Sequence, residues 1–346
     1  MKFTLFCQNA YAFGILEPIM QVLKEKDYQY IWFLTSNLAD KFPYLQEPHT
    51  FDIEELTIFK SDAILCPGNE VPHYLRGVKV QIFHGLAGEK KGHFKIRHYF
   101  DLYLTQGPFF TEKFLQLKQK YKDFDVIETG WPKLDIYGKK TDQYNAAKRA
   151  LLEKHQASKM ILYAPTFSPS LTSGPFLLKE LKKLAKKKDY LILIKFHDLM
   201  SAELIQQYRK LATHNTNIIF EEEPNIVKFL LMADLLISDT SSVVYEFLLL
   251  DKPVSTFRNN SENILWSNIK DASQLQEAVE RNLTKDPYLE ERKEIISGYH
   301  PYHDGKSAER MVQAVEQYIA EHGVPENRRL SFLRKRKINR MFKRNS

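Results

Sequence analysis

The sequence predicts an α/β protein made of two doubly wound parallel-sheet domains in tandem. Three observations carry that expectation. Short, wholly apolar runs alternate with longer amphipathic ones, the pattern of βαβ units whose strands are buried on both faces. The alternation stops at a polar stretch over 138–143 and then restarts. At 346 residues, 43% hydrophobic and 27% charged, the chain is longer than one core ordinarily holds and too apolar for disorder throughout.

In the first half, strands are expected over 3–7, 28–34, 63–66, 78–83, 102–105 and 126–129, with helices such as 15–26 and 108–120 between them. Turn chemistry at Pro67-Gly68, Gly107-Pro108 and Gly130-Trp131-Pro132 punctuates these runs. After the polar stretch an amphipathic helix runs to about His155, and strands follow over 160–163, 190–195, 218–220, 235–238 and 253–257. The domains are therefore drawn as 1–145 and 146–322, both Rossmann-like, with a basic segment over 323–346. Two such sheets in tandem are expected to face each other across a cleft at the carboxyl ends of their strands, where open α/β sheets bind ligands.

The net charge of +7 sits at one end. Residues 328–346 hold nine basic residues and no acid, so the other 327 residues sum to −2. Arg334, Lys335, Arg336 and Lys337 lie among Leu330, Leu333, Ile338, Met341 and Phe342 at roughly helical spacing. That composition suits adsorption to anionic lipid, or else marks a solvated basic end without a partner. The body carries no basic stripe for a nucleic-acid backbone, so no nucleic-acid partner is expected. No apolar run approaches the ~20 residues that span a bilayer, and the opening residues do not read as a signal peptide. Cys7 and Cys66 are too few for a disulfide framework or a four-cysteine zinc site. A cytoplasmic protein, peripheral on the inner face of the membrane, is the expectation.

A site in this architecture draws on residues just after each strand. Ser238-Asp239-Thr240-Ser241-Ser242 lies between a strand and a helix, where hydroxyls and open backbone N–H groups form an anion site, although a single such residue would make a plain N-cap. His84 ends an apolar run and precedes Gly85; it is either a base suited to neutral pH or a structural histidine beside a core strand. His197 presents the same choice, and with Lys195 it makes a cationic pair for phosphate. Lys90, Lys91, His93, Lys95 and Arg97 form a basic loop over an anionic ligand, or are merely solvated. The dinucleotide, P-loop, zinc-protease and CxxC signatures are missing. Asp123-Phe124-Asp125 precedes a strand and reads as a turn, so neither metal nor cofactor is expected.

Taken in order, Phe83-His84-Gly85, Phe100-Asp101-Leu102 leading to Thr105-Gln106-Gly107, Thr129-Gly130-Trp131-Pro132-Lys133-Leu134-Asp135, Ala164-Pro165-Thr166, Lys195-Phe196-His197, the Ser238 to Ser242 run and His303-Asp304-Gly305-Lys306-Ser307 resemble the CDP-glycerol glycerophosphotransferase family. These are the teichoic-acid primases and polymerases, and the likeness runs from about 80 to 310. The resemblance implies a GT-B fold and transfer of glycerol phosphate, or a related polyol phosphate, from a CDP-activated donor to a hydroxyl of a membrane-linked glycan or polymer, releasing CMP. It implies that His84 takes the proton of the attacking hydroxyl and that His197 holds the pyrophosphate. Thr240, Ser241 and Ser242 would donate to phosphate oxygens. The chain departs from the family after His84-Gly85, where Leu86 to Gly92 replaces a Thr-Pro-Leu-Lys type segment. It departs again at Asp198, usually proline, and at Thr240, usually tyrosine. A capsule or lipopolysaccharide pathway fits as well as wall teichoic acid. The same fold class also serves nucleotide-sugar glycosyltransferases and UDP-sugar 2-epimerases.

Overall fold

In the computed structural model, which describes residues 1–86, 92–139, 141–187, 189–223 and 226–342, the chain divides into two units. The first is Met1–Lys139 together with Gly298–Ser346, the second Lys140–Ser297.

The first unit alternates β1 (Lys2–Cys7), α1 (Phe13–Glu25), β2 (Gln29–Leu34), β3 (His49–Thr50), α2 (Ile53–Phe59), β4 (Ala63–Cys66), β5 (Val78–Gln81), β6 (Leu102–Thr105), α3 (Pro108–Tyr121), β7 (Asp125–Glu128) and α4 (Asp135–Lys139). All its strand pairs are parallel, in the order β3-β2-β1-β4-β5-β6-β7. The strand order reverses between β1 and β4. Every residue of β4, β5 and β6 is buried, as strands covered on both faces must be. One face of this sheet is aromatic: Phe6 stacks on Phe33 with centroids 4.6 Å apart, and Tyr103 packs against Phe114 and Phe124.

The second unit comprises α5 (Asn145–His155), β8 (Lys159–Tyr163), α6 (Gly174–Leu184), β9 (Tyr190–Lys195), α7 (Ala202–Thr213), β10 (Ile218–Glu221), α8 (Val227–Met232), β11 (Leu235–Ser238), α9 (Val243–Leu248), β12 (Val254–Phe257), β13 (Ser267–Ile269), α10 (Leu275–Thr284) and most of α11 (Leu289–Tyr299). Its parallel order is β10-β9-β8-β11-β12-β13, which reverses between β8 and β11. Leu177, Leu181 and Leu184 of α6 and Leu275 and Val279 of α10 cover one face with the inward side chains of β8, β9 and β11. Both sheets are the Rossmann-like kind expected for a GT-B protein. β3 and β13 are short, and the apolar pattern missed both.

The expected second domain over 146–322 ends too late, because the chain re-enters the first unit at residue 298. Tyr299 stacks on Phe109 with centroids 4.8 Å apart. The Trp131 N–H donates to His300 Nε2 at 3.0 Å. The Asp135 carboxylate accepts from the Ser307 and Ala308 N–H groups, both at 2.8 Å, and so caps α12 (Ser307–His322) at its positive end. The Gly130 to Asp135 and His303 to Ser307 motifs thus meet as a clasp. Gly138 permits it, since a Cβ there would lie 2.5 Å from backbone atoms of His303 and Gly305.

The basic segment is also not a loose end. Arg328 pairs with Asp101 and Asp123 and donates to the His98 carbonyl at 2.6 Å. α13 (Phe332–Met341) follows, with Ile338 wholly buried. Phe342 closes on Phe6 at 5.5 Å. Part of the apolar stripe that reads as a lipid-binding face is therefore used inside the first unit. Lys337 pairs with Glu70 at 3.0 Å, Arg334 is half-buried, and Lys335 and Arg336 are exposed. Phe332, Leu333 and Met341 stay outside, the first two 76% exposed. Among the described residues no helix is long and apolar enough to cross a membrane.

Candidate functional site

In the second unit the two loops at the reversal of strand order, after β8 and after β11, are joined by one carboxylate. Asp239 is wholly buried. It accepts from the Thr166 N–H at 2.8 Å and from the Ser173 N–H and hydroxyl at 2.7 and 2.8 Å. Its own carbonyl accepts from the Asn259 amide at 2.8 Å. Burial raises its pKa to about 6 against the pull of those three donors. Ser238, also buried, donates to the Ala164 carbonyl at 2.6 Å. Ser238 and Asp239, expected at phosphate, instead hold the two loops together, because side chains at the end of a buried strand turn into the layer beside it. Thr240, Ser241 and Ser242 are half-buried at the start of α9. The Thr240 hydroxyl donates to the Asn260 side-chain oxygen at 3.0 Å and accepts from the Asn260 N–H at 3.2 Å, and the Ser241 hydroxyl accepts from the Val243 N–H at 3.4 Å. Ser242 occupies the N-cap position without a side-chain cap bond. Thr166 is half-buried in the facing loop.

His197 follows β9, exposed, with Phe167 of the β8 loop against its ring at 4.5 Å. Its Nδ1 accepts the Leu199 N–H at 3.1 Å, so the neutral ring carries its proton on Nε2. Partial burial lowers its pKa, which keeps that neutral form at pH 7. Lys195 is 6% exposed, and its ammonium donates to the Phe196 carbonyl at 2.7 Å. The expected Lys195–His197 pair is thus split, one side chain turned into the layer and the other out of it.

In the first unit His84 follows β5. Phe83 before it holds a left-handed φ of +60°, a costly conformation for a side chain of that size. The turn buries the Phe83 ring against His93 and Phe114 while His84 is carried to the surface. His84 Nδ1 lies 3.0 Å from the Pro67 carbonyl, which can only accept, so Nδ1 donates and Nε2 is the basic nitrogen of the neutral ring. Gly85 is fixed by Gln106, whose amide donates to its carbonyl at 3.0 Å. Tyr11 from the β1 loop lies against the His84 ring at 5.4 Å. Gln106 stands in the Thr105-Gln106-Gly107 motif, whereas the uncharged Asn9 and Tyr11 could have been singled out only by their places after a strand.

The basic loop is partly corrected. Residues 87–91, with Lys90 and Lys91, lie outside the described residues, but His93 is stacked among phenyl rings and its pKa is lowered by burial to about 4. It is neutral at pH 7. Asp123 pairs with His98 and Arg328, and Asp125 with Lys118. Both thiols are buried and pushed far up in pKa, so neither is a nucleophile at neutral pH.

Each unit thus ends one strand in a histidine with one ring nitrogen fixed by the backbone, His84 on a carbonyl and His197 on an N–H. The chain is 24% identical over 278 residues to the teichoic acid poly(glycerol phosphate) polymerase of Bacillus spizizenii, covering 70% of this chain and 68% of that protein. It is 35% identical over 144 residues to the teichoic acid glycerol-phosphate primase of the same organism, covering 39% of this chain and 34% of the primase. A solved structure of the wall teichoic acid polymerase TagF superposes with a TM-score of 0.63 at 17% identity, covering 92% of this chain and 89% of that one, and shares the fold. The profile of the CDP-glycerol:poly(glycerophosphate) glycerophosphotransferase family matches residues 77–265, more than half the chain and including every motif from His84 to Ser242, so the chain belongs to that family of phosphotransferases.

Proposed function

We propose that this protein transfers glycerol phosphate, or a related polyol phosphate, from a CDP-activated donor to a hydroxyl of a membrane-linked acceptor and releases CMP. The observation that carries the reading is the opposite protonation of the two strand-end histidines. His84 Nε2 offers a lone pair and takes the proton of the attacking hydroxyl. The acceptor oxygen then bonds to the phosphorus that bears the polyol, and the bond from that phosphorus to the bridging oxygen breaks in line. The departing CMP gains charge, which the His197 Nε2–H and the Thr240, Ser241 and Ser242 hydroxyls stabilise. Asp239 ties the loop that begins this run to the β8 loop at Thr166 and Ser173.

α13 supplies the surface for the bilayer on which such an acceptor sits. Phe332, Leu333 and Met341 are exposed among Arg336 and Arg340, a face suited to anionic lipid.

The test is to incubate the purified protein with CDP-glycerol, CDP-ribitol and UDP-sugars and to follow the nucleotide released. CMP, with phosphate retained on the acceptor, is expected. UDP release would replace this reading with a glycosyltransferase or an epimerase.

A further inference from the structure

The strand order of the first unit reverses between β1 and β4, and the carboxyl ends of such neighbours are where open sheets take ligands. The residues there are Gln8, Asn9 and Tyr11 after β1 and Pro67-Gly68 after β4. They form a built surface. A Cβ at Gly68 would lie 2.4 Å from the Gln8 amide oxygen, so the Gln8 side chain lies directly over this glycine and the two loops are in contact. The Pro67 carbonyl in turn holds His84 at 3.0 Å. Tyr11 lies against the His84 ring at 5.4 Å and an angle of 34°, yet remains 48% exposed. The exposed Asn9 amide donates to the Tyr11 hydroxyl at 3.2 Å. An aromatic face edged by a phenol and amides therefore stands open beside the basic imidazole.

All of these residues except His84 precede residue 77, where the family match begins. We propose that Tyr11 and Asn9 form the acceptor subsite and that it takes an uncharged sugar ring. An aromatic face packs against the C–H face of a ring, and the phenol and amide rim can pair with its hydroxyls. Among the described residues of the ledge, Gln8, Asn9, Tyr11 and Gly68 include no cation, which favours a neutral ring there over the phosphate of a growing polyol-phosphate chain. The enzyme then places its polyol phosphate on a glycosyl end and does not extend a polyanion. This rests on the phosphotransfer reading above.

The experiment has two arms. In saturation-transfer NMR, methyl hexopyranosides and glycerol 3-phosphate are offered separately to the wild type, Tyr11→Phe and Tyr11→Ala. Transfer to the C–H protons of the hexopyranoside is expected in the wild type and in Tyr11→Phe and is lost in Tyr11→Ala. Equal transfer in all three overturns the ledge, as does a Tyr11 dependence confined to glycerol 3-phosphate. In the kinetic arm, with CDP-glycerol and an alkyl hexopyranoside as acceptor, Tyr11→Ala is expected to raise the acceptor KM roughly tenfold, the worth of one aromatic contact with its buried area. The KM for CDP-glycerol stays where it was. Efficient elongation of glycerol-phosphate oligomers with no transfer to the glycoside overturns the assignment. If the wild type releases no CMP from any donor, the phosphotransfer reading fails, and the NMR arm still decides whether the ledge binds sugar.

Discussion

An imidazole serves as a base or as a donor according to which nitrogen holds its proton, and here one backbone contact decides that at each histidine. His84 faces a carbonyl and His197 an N–H. The two should therefore respond differently to the same replacement. His84→Ala lowers turnover by roughly 10²-fold to 10⁴-fold, the usual worth of a general base, and His84→Gln is as slow because an amide cannot take the proton. His197→Gln keeps an N–H where the imidazole had one, and it should turn over at least about tenfold faster than His197→Ala. Steady-state rates with CDP-glycerol decide it. Equal rates for the two His197 variants would remove the donor role, and a fast His84→Gln would remove the base. Both histidines were legible in the sequence because each ends an apolar run with a titratable group. Asn9, Tyr11 and Gln106 end such runs too, but uncharged amides and phenols are common in loops. Ser238 and Asp239 were legible as a motif yet not in their role. A sequence shows which side chains follow a strand, whereas packing decides which of them turn inward.

At the scale of elements, α13 shows how a local pattern can be right while its partner is not. The helical spacing of Leu330, Ile338 and Phe342 was readable, and so was the charge around it. Nothing local could say that the stripe would close on Phe6 and Phe33, more than 300 residues earlier in the sequence. The helix now has two faces with separable roles. Ile338→Ala removes a wholly buried side chain and should cost the first unit about 3 kcal/mol, seen as a lower denaturant midpoint. Leu333→Asp alters a side chain 76% exposed, so it should leave that midpoint within about 0.5 kcal/mol. Its effect should appear in co-sedimentation with phosphatidylglycerol vesicles, which falls severalfold. Undiminished sedimentation of Leu333→Asp would take the lipid face away from α13 and leave its docking role standing.

For the whole molecule, the alternation of strands and helices made two sheets legible, but the return of the chain at residue 298 was not. It depends on pairings such as Asp135 with Ser307 and Trp131 with His300, each about 170 residues apart. The same return brings the buried His300 into the unit that already holds His93, packed among phenyl rings. Burial lowers His93 to about 4 and His300 to about 3, from an ordinary value of 6.5. Between 6.5 and those values the unfolded chain binds protons that the folded chain does not. Their contribution is therefore complete above pH 6.5 and is lost as pH falls toward 4 and then 3. Glu47 and Asp62, held below the usual carboxylate range by Lys24 and Arg76, weaken the same unit further in acid, while the raised Asp135 opposes them. In the second unit burial raises Asp239 to about 6 from 3.8, and its sign is opposite. The folded form there binds the extra proton, so stability from that group grows as pH falls from about 6. The modest lowering of His197 works against it. The first unit should accordingly loosen before the second as pH drops from 7 to 5. Hydrogen exchange corrected for intrinsic rates is expected to show peptides of β1, β4 and β6 losing protection while those of β8, β9 and β11 keep theirs. His300→Gln, whose amide oxygen can still accept from Trp131, should flatten that loss. Earlier opening of the second unit, or a pH response that His300→Gln leaves unchanged, would mean that these buried imidazoles do not set the acid limit of the fold.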